Sequence, residues 1–327
     1  MSTIEVTSPF DGRVVGTVPF TTVEQVQQAI DTAHERFLDV DNWIPKYKRV
    51  EILENLMKIM SSQVEELTIL CASEGGKPYI DSKVEVLRAI NGVKIAIEQI
   101  GLQEGHEIAM GHTPTSTNRI AYTMKEPIGV VVSISAFNHP LNLAIHQVIP
   151  AIAVGCPVII RPATQTPMSA VRLVELLKEA GLPEGWAQAV VCDRQGGELL
   201  VTSPKTAFFS FIGSGPVGWY LNSKASAGTR SALEHGGVAP VIVEPDADIE
   251  AMIPDLVKGG FYHAGQVCVS VQRIFVHESI ADAVASKVAE KASKLVVGNQ
   301  LDPKTEVGPL INHNEVNRVE EWVNEAV

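Results

Sequence analysis

The stretch Ile128-Gly-Val-Val-Val-Ser-Ile-Ser-Ala-Phe-Asn-His-Pro-Leu-Asn-Leu-Ala-Ile-His-Gln-Val-Ile-Pro-Ala-Ile-Ala-Val-Gly-Cys-Pro-Val-Ile-Ile160 contains no Asp, Glu, Lys or Arg. It is long enough to suggest a membrane helix, which needs ~20 apolar residues. Polar residues at Asn138, His139, Asn142, His146 and Gln147 argue against that, as do Pro140, Pro150 and Pro157. The stretch reads instead as a strand over 128–135, a loop, a helix over 141–153, a turn and a strand over 157–160. A charge-free βαβ unit of this kind is expected where a parallel sheet is covered on both faces.

Working downstream, the alternation continues. Strands are predicted at Gly129–Ile134, Pro157–Ile160, Gln188–Cys192, Ala207–Ile212, Ser231–Glu234 and Pro240–Val243. Helices are predicted at Leu141–Val154, Met168–Ala180, Gly196–Thr202 and Pro216–Ala227. Repeated βα units define the fold class as α/β, with a parallel sheet. Beyond residue 245 the pattern gives a helix at Ile249–His263, a strand at Gln272–His277 and a helix at Ile280–Leu295. Another helical pattern starts near Asn312 and runs to the last residue. Upstream, the first hundred residues read as mostly helical, over Val23–Leu38, Lys46–Ser73 and Tyr79–Ile100. Residues 105–124 are polar and read as a β-hairpin arm.

Composition bounds the function. The 327 residues allow about two domains at ~150 residues each. Apolar residues make up 45 % and charged residues 20 %, a balance that supports a packed core. The net charge of −12 argues against nucleic acid or an anionic membrane as partner, since both need clustered positive charge. Cys71, Cys156, Cys192 and Cys268 are widely spaced, which suggests no disulfide framework and no zinc site. No metal is expected, and a reduced, cytoplasmic setting is. The N-terminal residues lack the basic and apolar regions of a signal peptide.

Four stretches carry candidate chemistry. Gly213-Ser-Gly-Pro-Val-Gly218 follows a predicted strand and opens a helix, as a dinucleotide fingerprint does. Glycines there let backbone N–H groups approach a pyrophosphate. The internal Pro216 and the position at the fourth strand depart from the usual form, so an ordinary strand-to-helix turn stays open. Cys268, in Gly265-Gln-Val-Cys-Val-Ser270, is either core filler or a nucleophile beside small residues. Glu234, in Leu233-Glu-His-Gly-Gly237, ends a strand and suits a general base. Asn138 precedes a helix, where it is either a cap or an amide donor to an oxyanion.

Taken in order, Phe137-Asn138-x-Pro140, Gly213-Ser214-x-x-x-Gly218, Glu234-x-Gly236-Gly237 and Gly265-Gln-x-Cys268 resemble the aldehyde dehydrogenase superfamily. Lys125-Glu-Pro-Ile-Gly129, Ile149-Pro-Ala-Ile-Ala153 with Gly155, and Gly298 through Gly308-Pro-Leu-Ile311 extend the likeness from about Ile4 to the end. The resemblance implies a Rossmann-like cofactor domain over 1–104 and 125–233. It implies an oligomerisation hairpin at 105–124 and the first part of an α/β catalytic domain over 234–327.

The resemblance also implies the chemistry. Cys268 attacks an aldehyde to give a thiohemiacetal, whose oxyanion is held by Asn138 and the Cys268 N–H. Hydride passes to NAD or NADP, and Glu234 activates the water that hydrolyses the thioester. Ser214, Gly213, Gly218 and Gly236 fall to the cofactor, with Phe137 where Trp is more usual and Ile134 and Ser135 along the nicotinamide path. Arg161-Pro-Ala-Thr164 stands where Lys-Pro-Ser/Ala-Glu is common. Arginine suits a phosphate, and Thr164 removes a carboxylate that would repel one, so NADP is expected to be accepted, with NAD still open.

His139, Asn142 and His146, spaced i, i+3 and i+7, are expected to share a face lining the aldehyde path. Val267 and Val269 flank the nucleophile. A polar lining favours a small polar aldehyde, of the lactaldehyde, phosphonoacetaldehyde or succinate-semialdehyde kind. Family members are longer and carry a Glu-x-Phe-Gly-Pro segment that this sequence lacks. It is therefore expected to be a piece of a longer homodimeric or tetrameric enzyme, or a shortened, non-catalytic dinucleotide-binding relative.

Overall fold

The computed structural model describes residues 2–327. It opens with an antiparallel hairpin, β1 (Thr3–Thr7) and β2 (Val14–Pro19), in a region expected to be mostly helical. Each strand is short, and the hairpin buries little more than Val6 and Val18, against Val191. Helix α1 (Val23–Leu38) starts at a capping box, in which Thr22 accepts from the Gln25 N–H and Gln25 accepts from the Thr22 N–H.

The single helix expected over 46–73 is two, α2 (Lys46–Ser62) and α3 (Val64–Gly75). The Ser61 and Ser62 hydroxyls turn back to the Met57 and Ile59 carbonyls, competing with the backbone ladder. Gln63 then leaves helical geometry at φ −113°, ψ 21°. Helix α4 (Tyr79–Ile100) follows as expected. The polar arm pairs only β3 (Glu107–Ile108) with β4 (Ala121–Tyr122).

The core is then built by β5 (Val130–Ile134), α5 (Pro140–Val154), β6 (Val158–Arg161), α6 (Met168–Glu179) and β7 (Ala187–Ala189). It continues through α7 (Arg194–Thr202), β8 (Thr206–Ile212), α8 (Gly215–Lys224) and β9 (Arg230–Glu234). The five strands are parallel, in the order β7-β6-β5-β8-β9. Every residue of β5 is buried, which accounts for its charge-free sequence. Helices α2–α6 cover one face of the sheet, and α1, α7 and α8 the other.

This order places a switch point between β5 and β8, because the chain winds outward in opposite directions from that pair. Ligand crevices of open α/β sheets form at the carboxyl ends of such strands. Here those ends lead into Ser135–His139 and Gly213–Gly218, with Glu234 closing β9 beside them. A second, smaller layer follows: β10 (Val241–Val243), α9 (Ile249–Phe261), β11 (Ile274–Val276), α10 (Ala281–Ala292) and α11 (His313–Ala326). Strands β10 and β11 pair in parallel over a small apolar cluster with α9 and α10. Among the described residues, no helix is long and apolar enough to cross a membrane.

Candidate active site

The end of β5 delivers Asn138 to the mouth of the crevice. Pro140 takes the first position of α5, where its missing N–H costs nothing. His139 is the cap residue, but its side chain makes no capping bond. The first-turn amides of Leu141 and Asn142, which have no intrahelical acceptor, instead donate to Glu85 Oε1 at 2.9 and 3.0 Å. Glu85 belongs to α4 and is fully buried, paired with the equally buried Lys77. Lys77 Nζ also donates to the Asn138 carbonyl at 3.0 Å. Asn138 is thereby released from capping. Its Nδ2 donates to the Gln266 carbonyl at 2.9 Å, and its Oδ1 is buried without a partner.

Gln266 belongs to the loop that carries Cys268. After α9 the chain makes a tight turn in which His263, Ala264 and Gly265 are left-handed, at φ 49°, 55° and 77°. Only the glycine adopts this without strain; for the other two it costs roughly 1–2 kcal/mol each. Such strain persists where surrounding contacts over-determine it, and Gln266 supplies them. Its Nε2 donates to the His263 carbonyl at 3.1 Å and the Pro309 carbonyl at 3.3 Å. Its Oε1 accepts from the Ile311 N–H at 2.9 Å.

Cys268 is the one exposed thiol among four free cysteines. Its own amide has no acceptor among the described residues. Val269 beside it is 70 % exposed, whereas Val267 is buried and so does not present a surface there. The end of β9 closes on this loop. A Cβ on Gly237 would stand 3.0 Å from the Cys268 carbonyl oxygen, so that position needs glycine for close approach. Glu234 keeps an exposed side chain, while its carbonyl accepts from the Gly213 N–H at 3.0 Å.

The glycine-rich turn divides its labour. A side chain on Gly213 would meet the Phe211 ring at 2.7 Å. One on Gly218 would meet the His235 ring at 2.3 Å and Phe211 at 2.9 Å. Both therefore serve the packing of α8 on β8. A Cβ on Gly215 would meet only the His235 ring, at 3.8 Å, and Ser214 caps α8 in extended geometry with no side-chain capping bond. The first amides of α8 and the Ser214 hydroxyl thus suit a phosphate.

Arg161 closes β6, with Nη2 donating to the Cys192 carbonyl at 3.2 Å and Nε buried without a partner. Gly197 leaves it room, and Thr164 is exposed three residues on. Ile134 and Ser135 are buried; the Ser135 N–H donates to the Arg161 carbonyl at 3.0 Å, and its hydroxyl has no partner. Phe137 stands edge-on to His263, with ring centroids 6.5 Å apart. Gly236 has open space around it.

The three residues of the expected stripe, His139, Asn142 and His146, differ in exposure. His139 precedes the helix and stacks on Tyr262, with centroids at 5.9 Å and Nε2 3.3 Å from the phenol oxygen. Asn142 is buried and its Oδ1 lacks a partner, whereas His146 is exposed. Burial holds the His139 imidazole down at about 3, aided by the Lys77 charge. Desolvation, then the Arg88 charge, also holds His146 below the usual histidine range, with Glu234 opposing. Burial pushes the Tyr262 phenol up. The His139–Tyr262 pair is therefore neutral and can exchange hydrogen bonds with a polar ligand.

Outside this cluster, a cavity of about 550 Å³ is lined by Val23, Arg194 and Glu198 and does not include Cys268. Among the described residues, no group of three His, Cys, Asp or Glu could hold a metal ion.

A sequence model of the Aldehyde dehydrogenase family matches residues 1–327. The chain belongs to that family. It is 38 % identical over 325 residues to a 3-sulfolactaldehyde dehydrogenase of Priestia aryabhattai, covering 99 % of this chain and 67 % of that protein. It is 37 % identical to a lactaldehyde dehydrogenase of Methanocaldococcus jannaschii, covering 99 % of this chain and 69 % of that one. In structure it matches a glyceraldehyde-3-phosphate dehydrogenase from Methanocaldococcus jannaschii complexed with NADP. The TM-score is 0.92 and the identity 36 %, covering 98 % of this chain and 70 % of that one. An aldehyde dehydrogenase from Physcomitrella patens in complex with the reaction product succinate gives a TM-score of 0.93 at 33 % identity, over 99 % of this chain and 68 % of that one. This chain thus spans about two thirds of the length of these relatives.

The family is one of NAD(P)-dependent oxidoreductases. Within this aldehyde dehydrogenase chain, sequence reasoning missed Lys77, Glu85, Tyr262 and the bridging role of Gln266. Gln266 lay inside a quoted motif. Lys77 and Glu85 carried no linear signal, because burial of a charged residue emerges only from tertiary packing.

Proposed function

We propose that this chain carries the nucleophile, oxyanion donor and general base of an aldehyde dehydrogenase acting on a small polar aldehyde. The observation that carries the reading is the 2.9 Å bond from Asn138 Nδ2 to the Gln266 carbonyl. It ties the amide at the end of β5 to the loop of the only exposed thiol.

The Cys268 thiolate attacks the aldehyde carbon, forming a C–S bond while the carbonyl electrons move to oxygen. One Nδ2 hydrogen of Asn138 is spent on Gln266; the second and the unpartnered Cys268 amide donate to the oxyanion. Each such donor is worth ~100–1000-fold in rate. NAD(P), when bound, supplies the two-electron hydride acceptor. Ser214, the first amides of α8, Gly236, Phe137, Ile134 and Ser135 would hold it. Arg161 would meet the adenosine ribose, with Thr164 leaving room for a 2′-phosphate, so NADP is used at least as well as NAD. Glu234 then deprotonates the water that hydrolyses the Cys268 thioester, and the thiolate leaves. His139, Asn142 and His146 favour hydroxyl-bearing or anionic short aldehydes over aryl ones, and Val269 beside the thiol, where an arginine would grip an anion, weighs against a strongly anionic one.

The same reading divides the chain into a cofactor unit (1–104 and 125–233), an arm (105–124) that pairs copies into dimers or tetramers, and a catalytic unit from 234. It places the protein in the cytoplasm, in keeping with four unpaired cysteines. The test is an NAD(P)H-production screen of the full-length gene product across aldehydes and both cofactors. Benzaldehyde outcompeting short hydroxyaldehydes would refute the polar substrate, and a kcat/KM for NAD tenfold above that for NADP would refute the cofactor preference.

A further inference from the structure

We propose that the buried Lys77–Glu85 ion pair is a positioning device for the Asn138 amide. The proposal rests on the oxyanion role given to Asn138 above. A buried ion pair is costly to desolvate, and apolar residues of similar size often stabilise a fold as well or better. Its placement here is what gives it a role. Lys77 Nζ donates to the carbonyl of Asn138 itself at 3.0 Å. Glu85 Oε1 accepts from the amides three and four residues later, at 2.9 and 3.0 Å. One charge pair, reaching across from α4 and the loop before it, therefore pins the backbone at Asn138 itself and again at the start of α5, while Thr166 Oγ1 donates to the preceding Phe137 carbonyl at 3.3 Å.

Two further observations support a positioning role. First, Glu85 replaces the cap that Asn138 or His139 would otherwise supply, which frees the Asn138 amide to face the Cys268 loop. Second, Asn138 Oδ1 is buried without a partner, so no bond at that atom helps to orient the amide. Orientation comes from the Gln266 carbonyl and the pinned backbone alone. Glu74 offers an internal comparison. It is also a fully buried carboxylate at a helix start, accepting from the Met168 and Ser169 amides at 2.7 and 2.9 Å. It has no lysine partner within ion-pair distance and does not touch Asn138.

The test is a double-mutant cycle in the full-length gene product. The variants are Asn138→Ala, the apolar pair Lys77→Met with Glu85→Leu, and all three together. The apolar pair is expected to keep its thermal midpoint, its cofactor KM and its rate of Cys268 alkylation by iodoacetamide. It should lose ~10–100-fold in kcat, the size of effect that slight misplacement of a reacting group produces. The triple variant should be no slower than Asn138→Ala alone, because both changes remove one donor. Turnover within twofold of wild type in the apolar pair, or losses that multiply in the triple variant, would overturn the proposal. Should the apolar pair fail to fold, the neutral polar pair Lys77→Gln with Glu85→Gln, which leaves no buried charge unpaired, runs the same cycle. Glu74→Gln combined with Asn138→Ala should multiply, as an unrelated cap does. Wild-type turnover in Asn138→Ala would remove the oxyanion role itself, and the positioning role with it.

Discussion

A thiol, an amide and a carboxylate reach the crevice from three separate stretches of chain, so each can be removed alone. Replacing Cys268 with Ser leaves shape nearly intact but substitutes a poor nucleophile. We predict a loss of NAD(P)H production of about 1000-fold or more; turnover near wild type would end the assignment. The buried histidines give a second prediction. His139 is held at about 3, well below its ordinary value. The unfolded chain therefore binds more protons than the folded one between those values, and stability rises with pH across that window. The stabilisation is complete above the ordinary histidine range and is lost as pH falls toward 3. His263 acts in the same direction through burial, whereas Glu74, raised to about 7, acts in the opposite one. His139→Gln isolates a single contribution: its thermal midpoint should drop less between pH 7 and pH 5 than the wild type's. Parallel curves would count against a neutral, buried His139. At this scale, Cys268, Glu234 and Asn138 could be proposed from sequence because their motifs occur in family order. Lys77 and Glu85 were not, because a lysine and a glutamate eight positions apart look like two solvated charges until α4 is packed against α5.

Among the elements, legibility followed the length and purity of the pattern. The charge-free run at 128–160 marked β5, α5 and β6 within a residue or two, because a doubly covered parallel strand needs no polar face. The hairpin β1–β2 was missed because two short strands with one small buried cluster resemble loop. The α2–α3 break was missed because helical spacing runs on across Gln63, and only the serine back-bonds end the ladder. The end of α5 is a place where one residue decides an element. Gly155 is left-handed at φ 86°, and a Cβ there would stand 3.2 Å from both Arg49 and Pro127. Arg49, itself buried, donates to the Ala153 carbonyl in the same last turn. Gly155→Ala should therefore destabilise by about 1–3 kcal/mol, from left-handed strain plus crowding. Chemical denaturation would measure it. A change below about 0.5 kcal/mol would mean the turn relaxes freely.

Across the whole molecule the two layers differ in how well they are covered. The five-stranded sheet has helices on both faces. By contrast, β10 and β11 form a parallel pair of three residues each, with helices α9 and α10 on one side. Ile242 and Phe275 stand opposite each other in register and are 73 % and 56 % exposed. Two apolar side chains side by side on a two-stranded sheet form a sticky patch, whereas single exposed ones are ordinary. Their removal should cost little, since exposed positions with few contacts change stability by only about 0.5 kcal/mol. We predict that Ile242→Ser with Phe275→Ser leaves the thermal midpoint of the 327-residue chain nearly unchanged. The same change should lower its binding of a hydrophobic dye and its light scattering at high concentration. A net charge of −12 opposes nonspecific association, so the effect should grow as added salt screens that repulsion. Equal scattering from both forms at every ionic strength would show that this face does not drive association. A large drop in thermal midpoint would show that the pair is packed rather than exposed.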